Sequence, residues 1–152
     1  MRKQALSVFR RLPDPIRRSI IHAATPSFTV GAVAVLRRTD GRIALVRQRH
    51  SEGWALPGGL LRRGEATGLG LVREIAEELG LTIDPFALPI PYAAVNAQVR
   101  RVDVVYFIDA PAGTRLRRED EIEVTGTGWF ALDALPEISE PTADILRAVR
   151  LL

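Results

Sequence analysis

Glu74, Glu77 and Glu78 stand at i, i+3 and i+4. If the chain is helical there, all three carboxylates lie on one face. Like charges so placed repel by roughly a few tenths of a kcal/mol per exposed pair. Two explanations account for keeping them together. One is a solvated acidic face offset by the adjacent Arg73. The other is a hard divalent cation, Mg²⁺ or Mn²⁺, which takes oxygen ligands and suits phosphate substrates. Spacing alone leaves both open. Other chemistries are closed: the chain has no cysteine and only two histidines, His22 and His50. Disulfides, thiolate metal sites, cysteine nucleophiles and histidine-rich sites are therefore excluded.

These carboxylates need a helix and a loop to aim them. Trp54 to Gly59 ends in Pro-Gly-Gly, and Gly64-Glu65 makes a second break. Glycine lets backbone approach a ligand closely. The helix is expected to start near Ala66, which puts Glu65 by the positive end of its dipole. Gly80 suits the left-handed stop of a helix C-terminus.

The whole stretch fits one longer pattern. Gly59, Glu65, Arg73, Glu74, Ile75, Glu77, Glu78, Gly80 and Leu81 fit every fixed position of G-x5-E-x7-R-E-U-x-E-E-x-G-U, U being bulky and aliphatic. That pattern resembles the Nudix box, and the chain resembles the Nudix hydrolases over about residues 28 to 150. The resemblance implies an α/β/α sandwich around a mixed β-sheet. It implies Mg²⁺ or Mn²⁺ held by Glu74, Glu77 and Glu78, with the Gly58 carbonyl as a further ligand. Arg73 would pair with and orient the box carboxylates, and Glu65 would tie loop to helix. The implied reaction is hydrolysis of a nucleoside diphosphate linked to another moiety X, by water attack on phosphorus. A carboxylate would act as general base: Glu74, Glu78, or an acid of the Glu119–Glu123 segment, with Glu121 and Glu123 the candidates. The chain departs from the family at Gly70 and Leu71, where alanines are common, and at Arg62, where many relatives carry glutamate. Gly68 and Gly70 are expected either to loosen the first helical turns or to allow close packing.

Length and composition fit one soluble domain: 152 residues, 47% hydrophobic and 26% charged. No apolar run is long enough to span a membrane, and a cytoplasmic protein is expected. The net charge of +3 is uneven. Residues 1–24 carry +5 and the remainder −2. The expected division is therefore a basic extension, 1–24, and a Nudix domain, 25–152. In the extension, Leu6, Phe9 and Leu12 form one short helical face that Pro13 and Pro15 interrupt, and Arg17–Ala24 makes a second turn or two. Packing on the domain or on a second subunit in a homodimer, contact with nucleic acid or an anionic membrane, and disorder are all open to it.

Phe28–Leu36 reads as a buried strand, Thr39-Asp40-Gly41 as a turn and Arg42–Arg49 as the second arm of a hairpin. Arg47 and Arg49 share a face at the end of that arm and are candidates for phosphate binding. Thr82–Val95 holds a short edge strand. Val102–Ile108 and Val124–Leu132 are further strands, the latter with a bulge suggested by Gly126 and Gly128. Thr142–Leu152 closes as an amphipathic helix. Tyr92 and Asn96 are candidates to contact a base, a nucleotide-type diphosphate being the expected small-molecule partner. Neither the proline nor the tyrosine signature of known substrate classes falls in register, so the substrate stays open. A non-catalytic ligand sensor and an RNA 5′-end pyrophosphohydrolase are the alternatives. The isoprenoid diphosphate isomerases of this fold use a catalytic cysteine, which this chain lacks.

Overall fold

A computed structural model describes residues 9–10, 12–119 and 122–152. Alternation along two strands sets the architecture. In β1 (Thr29–Arg38), Ala32, Ala34 and Leu36 point to one side and Val33 and Val35 to the other, all buried. Strand β2 (Arg42–Gln48) repeats this, with Ala44 and Val46 on the first side and Ile43 and Leu45 on the second. A sheet that is apolar on both faces must be covered on both.

Five strands run in the order β4-β5-β1-β2-β6, and β3 pairs with β1 beside them. Strand β3 is Gly58–Leu60, β4 Tyr92–Asn96, β5 Arg101–Ala110 and β6 Val124–Ala131. The β1–β5 pair is parallel and the others antiparallel, so the sheet is mixed. Strand β3 pairs with residues 31–33 of β1, and β2 pairs with β1 further along, at Arg37.

Three helices complete the described fold: α1 (Asp14–Ala24), α2 (Thr67–Leu79) and α3 (Glu140–Ala148). Helix α2 lays Leu71, Ile75 and Leu79 on the Ala32 face. Helix α3 lays Ile145 and Leu146 on the Val33 face. The molecule is the expected α/β/α sandwich, its two apolar layers separated by the sheet.

One local expectation changes and one open choice is resolved. Pro13 and Pro15 do not only interrupt: Pro13 is the N-cap of α1 and Pro15 lies in its first turn, where a missing N–H costs nothing. The helix therefore runs for 11 residues. Of the expected face before it, Leu6 lies outside the described residues. Gly70, for its part, is a packing site. A Cβ there would lie 2.5 Å from Leu61 Cδ2 and 3.1 Å from Glu65 Oε2, so the bare backbone is what lets the preceding loop close onto α2. No described helix is long and apolar enough to cross a membrane.

Candidate active site

Helix α2 begins where expected, with Ala66 at the N-cap, and ends on Gly80 at φ 64°. Thr67, its first residue, hydrogen-bonds Tyr106 of β5 through the two hydroxyls at 2.6 Å. Burial of Leu71, Ile75 and Leu79 fixes the rotation of the helix about its axis. Glu78, between the last two, is thereby pressed against the sheet and is only 5% exposed.

The Glu78 carboxylate is held from the sheet side. Its Oε2 accepts from the Gly58 N–H at 2.8 Å, and its Oε1 accepts from Gln48 Nε2 at 2.8 Å. Burial pushes its pKa up to about 7. The two hydrogen bonds act in the opposite direction, and the negative charges of Glu74 and Glu123 add to the rise.

The remaining box carboxylates gather on Arg73. Its Nε and Nη2 donate to Glu65 Oε1 and Oε2 at 3.0 and 3.1 Å. Its Nη1 donates to Glu74 Oε1 at 2.7 Å and to Glu77 Oε2 at 3.3 Å. The Arg73 fork and the Arg62 N–H, 2.7 Å from Oε2, hold the Glu65 pKa down at about 2. Arg73 is itself shifted upward, chiefly by its hydrogen bonds to Glu65. Arg62 also approaches Glu77 Oε1, at 3.8 Å.

The glycines of the loop fit this arrangement closely. Gly58 has φ 133°, and a Cβ there would sit 2.2 Å from the Ala32 carbonyl oxygen. A Cβ on Gly59 would sit 2.6 Å from Glu74 Oε1. Strand β3 is thus a glycine floor beneath Glu74 and Glu78. Upstream, the loop is pinned to the other layer: the Leu56 N–H donates to Thr142 Oγ1 of α3 at 3.0 Å. The Trp54 ring meets Phe130 edge-on at 4.7 Å.

The other sequence candidates scatter. In β2, Ala44 and Val46 face α2, and so does Gln48. Arg47, before Gln48, alternates onto the opposite face, and Arg49 lies in the turn just beyond the strand. The Arg49 N–H donates to the Glu123 carbonyl and its Nε to the Ile122 carbonyl, both at 2.8 Å. Arg49 therefore clasps the acidic turn that carries Glu123. The register shift against β6 falls at this end of β2, between Arg47 and Gln48. Glu121 lies outside the described residues. Asn96 lies under α3, with Nδ2 3.3 Å from Asp144 Oδ2. It lines a cavity of about 520 Å³ with Arg101, Asp103, Glu140 and Asp144 among its polar walls. Tyr92 is half exposed on the same edge strand and lies outside that lining.

Sequence reasoning missed Gln48, Asp103 and Thr142. Alternation from Ala44 and Val46 would have pointed to Gln48. Nothing local marks the other two, whose partners lie in distant strands and helices.

Among the described residues, no three carboxylate or imidazole groups converge as they would around one ion. Glu74 and Glu77 face Arg73, while Glu78 faces Gly58 and Gln48. The donor set nevertheless suits a hard cation. It consists of carboxylate oxygens on one helix face above a glycine backbone with no room for side chains.

Comparison with known proteins bears on this geometry. The NUDIX domain matches residues 27–149. A MutT-like protein of Streptomyces ambofaciens is 32% identical over 127 residues, 84% of this chain and 77% of that protein. A Bacillus subtilis protein named, by inference, as an ADP-ribose pyrophosphatase is 41% identical over 112 residues. That match takes in 66% of this chain and 49% of the Bacillus protein, so the chain spans about half its length. The solved MutT NUDIX hydrolase of Burkholderia pseudomallei superposes with a TM-score of 0.66 at 31% identity, covering 82% of this chain and 99% of that one. A fold of two helical layers on a mixed sheet, with a glycine floor under a glutamate-rich helix, is that of the Nudix family, and the chain belongs to it. Within the family it is a pyrophosphohydrolase.

Proposed function

We propose that the protein is a divalent-cation-dependent hydrolase of a nucleoside diphosphate linked to a sugar-like moiety, with ADP-ribose the first compound to test. One observation carries the reading. Glu78 is a carboxylate buried among apolar side chains, beside Glu74 and Glu77 and directly over the Gly58–Gly59 floor. Burying ionisable oxygens with like-charged neighbours is costly unless something offsets the charge.

In this reading Glu74, Glu77 and Glu78 hold Mg²⁺ or Mn²⁺, with the Gly58 carbonyl as a further oxygen. When bound, the cation neutralises phosphoryl oxygens and lowers the pKa of water. Arg73 keeps Glu65, Glu74 and Glu77 gathered on one side of the helix. Glu123, brought towards Glu78 by the Arg49 clasp, is the described candidate for general base beyond the box.

The cavity under α3 lies on the opposite face of the sheet from Glu74 and Glu78, and its polar walls, Asn96, Arg101, Asp103 and Asp144, suit hydroxyl groups. Asp103 sits beside Gly31 of β1: a Cβ on Gly31 would meet Asp103 Oδ1 at 2.5 Å and the Gly59 carbonyl at 3.2 Å. The cavity wall and the glycine floor are therefore neighbours across one strand. The inferred activity of the Bacillus relative supports the choice of substrate class. A solved Shewanella oneidensis Nudix domain bound to ADP ribose shares the fold, with a TM-score of 0.63.

The test is Mg²⁺- and Mn²⁺-dependent hydrolysis of ADP-ribose beside nucleotide sugars, dinucleoside polyphosphates, dNTPs and 5′-triphosphate RNA, with Glu78→Gln as blank. Preferential ADP-ribose or nucleotide-sugar turnover that E78Q abolishes is expected. Preference for RNA or dNTPs would overturn the substrate class. Turnover retained in E78Q would overturn the site.

A further inference from the structure

We propose that Gln48 is a positioning residue that fixes the plane of the Glu78 carboxylate for cation binding. This rests on the reading of Glu78 as a cation ligand.

The geometry begins in β2. Ala44, Val46 and Gln48 project to the α2 face, the first two into the apolar core. Gln48 follows them as the polar residue that ends the row, and it falls at the strand end, where the row reaches Glu78. Its Nε2 lies 2.8 Å from Glu78 Oε1. An ionised carboxylate only accepts hydrogen bonds, so the amide nitrogen is the atom that faces it. The second oxygen is taken by the Gly58 N–H, also at 2.8 Å.

Two donors from two strands therefore grip the two oxygens of one side chain. A glutamate on a helix otherwise has three rotatable bonds between backbone and carboxylate. Here the sheet sets the carboxylate plane. Each oxygen has about two lone-pair sites, so one hydrogen bond on each leaves a site for an ion. Without Gln48, Oε1 would be desolvated with no donor from this side, and the carboxylate could turn about its bond to the chain. Partners that orient a metal ligand in this way typically contribute ten- to a hundredfold in metal affinity or activity.

Gln48→Met keeps the length and removes the donor. Gln48→Asn keeps the amide and pulls it back by one methylene. Mn²⁺ binding to the full chain, followed by electron paramagnetic resonance without substrate, separates the possibilities. Arg42→Ala, at the exposed far end of β2, is the control. Both Gln48 variants should bind Mn²⁺ roughly ten- to a hundredfold more weakly, with unchanged circular dichroism. At saturating Mn²⁺, KM for the substrate should stay near that of the wild type. Loss of the Mn²⁺ site in E78Q, with wild-type affinity in both Gln48 variants, would overturn this inference alone. Equal Mn²⁺ binding by wild type and E78Q would overturn the cation reading and this inference with it.

Discussion

Glu65 and Glu78 are the same residue type at the two ends of one motif, and their surroundings drive them in opposite directions. Glu65 meets the Arg73 fork and the Arg62 N–H, and its pKa falls to about 2. Glu78 meets apolar core and two uncharged donors, and its pKa rises to about 7. A neighbouring cation stabilises the charged form, whereas burial without one destabilises it. The first carboxylate is already satisfied by the protein. The second is left with a demand that a cation would meet. The motif thus holds a clamped carboxylate at its start and, near its end, the buried carboxylate that the proposed function assigns to the cation.

The largest test of that contrast is turnover. Glu78→Gln should lower it by roughly a hundred- to ten-thousandfold, the range for losing a positioned acid or base, with the fold kept. Glu65→Gln should lower it far less. Equal losses in steady-state assays would erase the distinction.

The supporting glycines should differ in the same way. Gly58→Ala combines a left-handed backbone with an overlap on the Ala32 carbonyl and should cost at least about 3 kcal/mol. Gly64 also has positive φ, at 76°, but a Cβ there meets nothing within 4 Å. Gly64→Ala should cost only about 1 kcal/mol. Urea denaturation of the two variants measures the difference.

The pH dependence of metal-free stability should separate the two carboxylates. Between about 4.5 and about 7, folded Glu78 holds a proton that the unfolded chain has released. Its contribution to stability therefore falls as pH rises through this window, by about 3 kcal/mol in all, and stays low above it. E78Q should remove that fall, and added Mn²⁺ should stabilise the wild type more at pH 8 than at pH 5. Glu65 has the opposite sign. Its contribution is present above about 4.5 and is lost as pH falls towards about 2. Melting temperatures of wild type, E78Q and Glu65→Gln across pH would show both slopes or refute them.

The smallest effect expected is from removing residues 1–24. Ile16, Ile20 and Ile21 of α1 are 47, 43 and 48% exposed. The truncated protein should keep its melting temperature to within a few degrees and bind Mn²⁺ as the full chain does. A truncated chain that fails to fold would make the extension part of the domain.

Much was legible in the sequence because it is encoded locally. Three- and four-residue spacing put Glu74, Glu77 and Glu78 on one helix face. Ala66 and Gly80 marked the helix limits, and the apolar run of Phe28–Leu36 with the alternation of Arg42–Arg49 gave the central hairpin. Gly58 and Gly59 announced a close backbone approach. Local rules fell short where a residue's partner is distant in the chain. They paired Arg47 with Arg49 and passed over Gln48 between them, because the value of that face depends on where α2 packs. They read Gly70 as an open choice, because Leu61 and Glu65 meet it only after the loop folds back. Asn96 drew notice as a candidate to contact a base, yet the cavity around it also needs Asp103 from β5 and Asp144 from α3. Periodicity and glycine placement are properties of neighbours in sequence, and the chain by itself determined them. Which carboxylate is buried, which is clamped, and on which face of the sheet the cavity opens are set by helix rotation and strand order, and only the tertiary structure decided those.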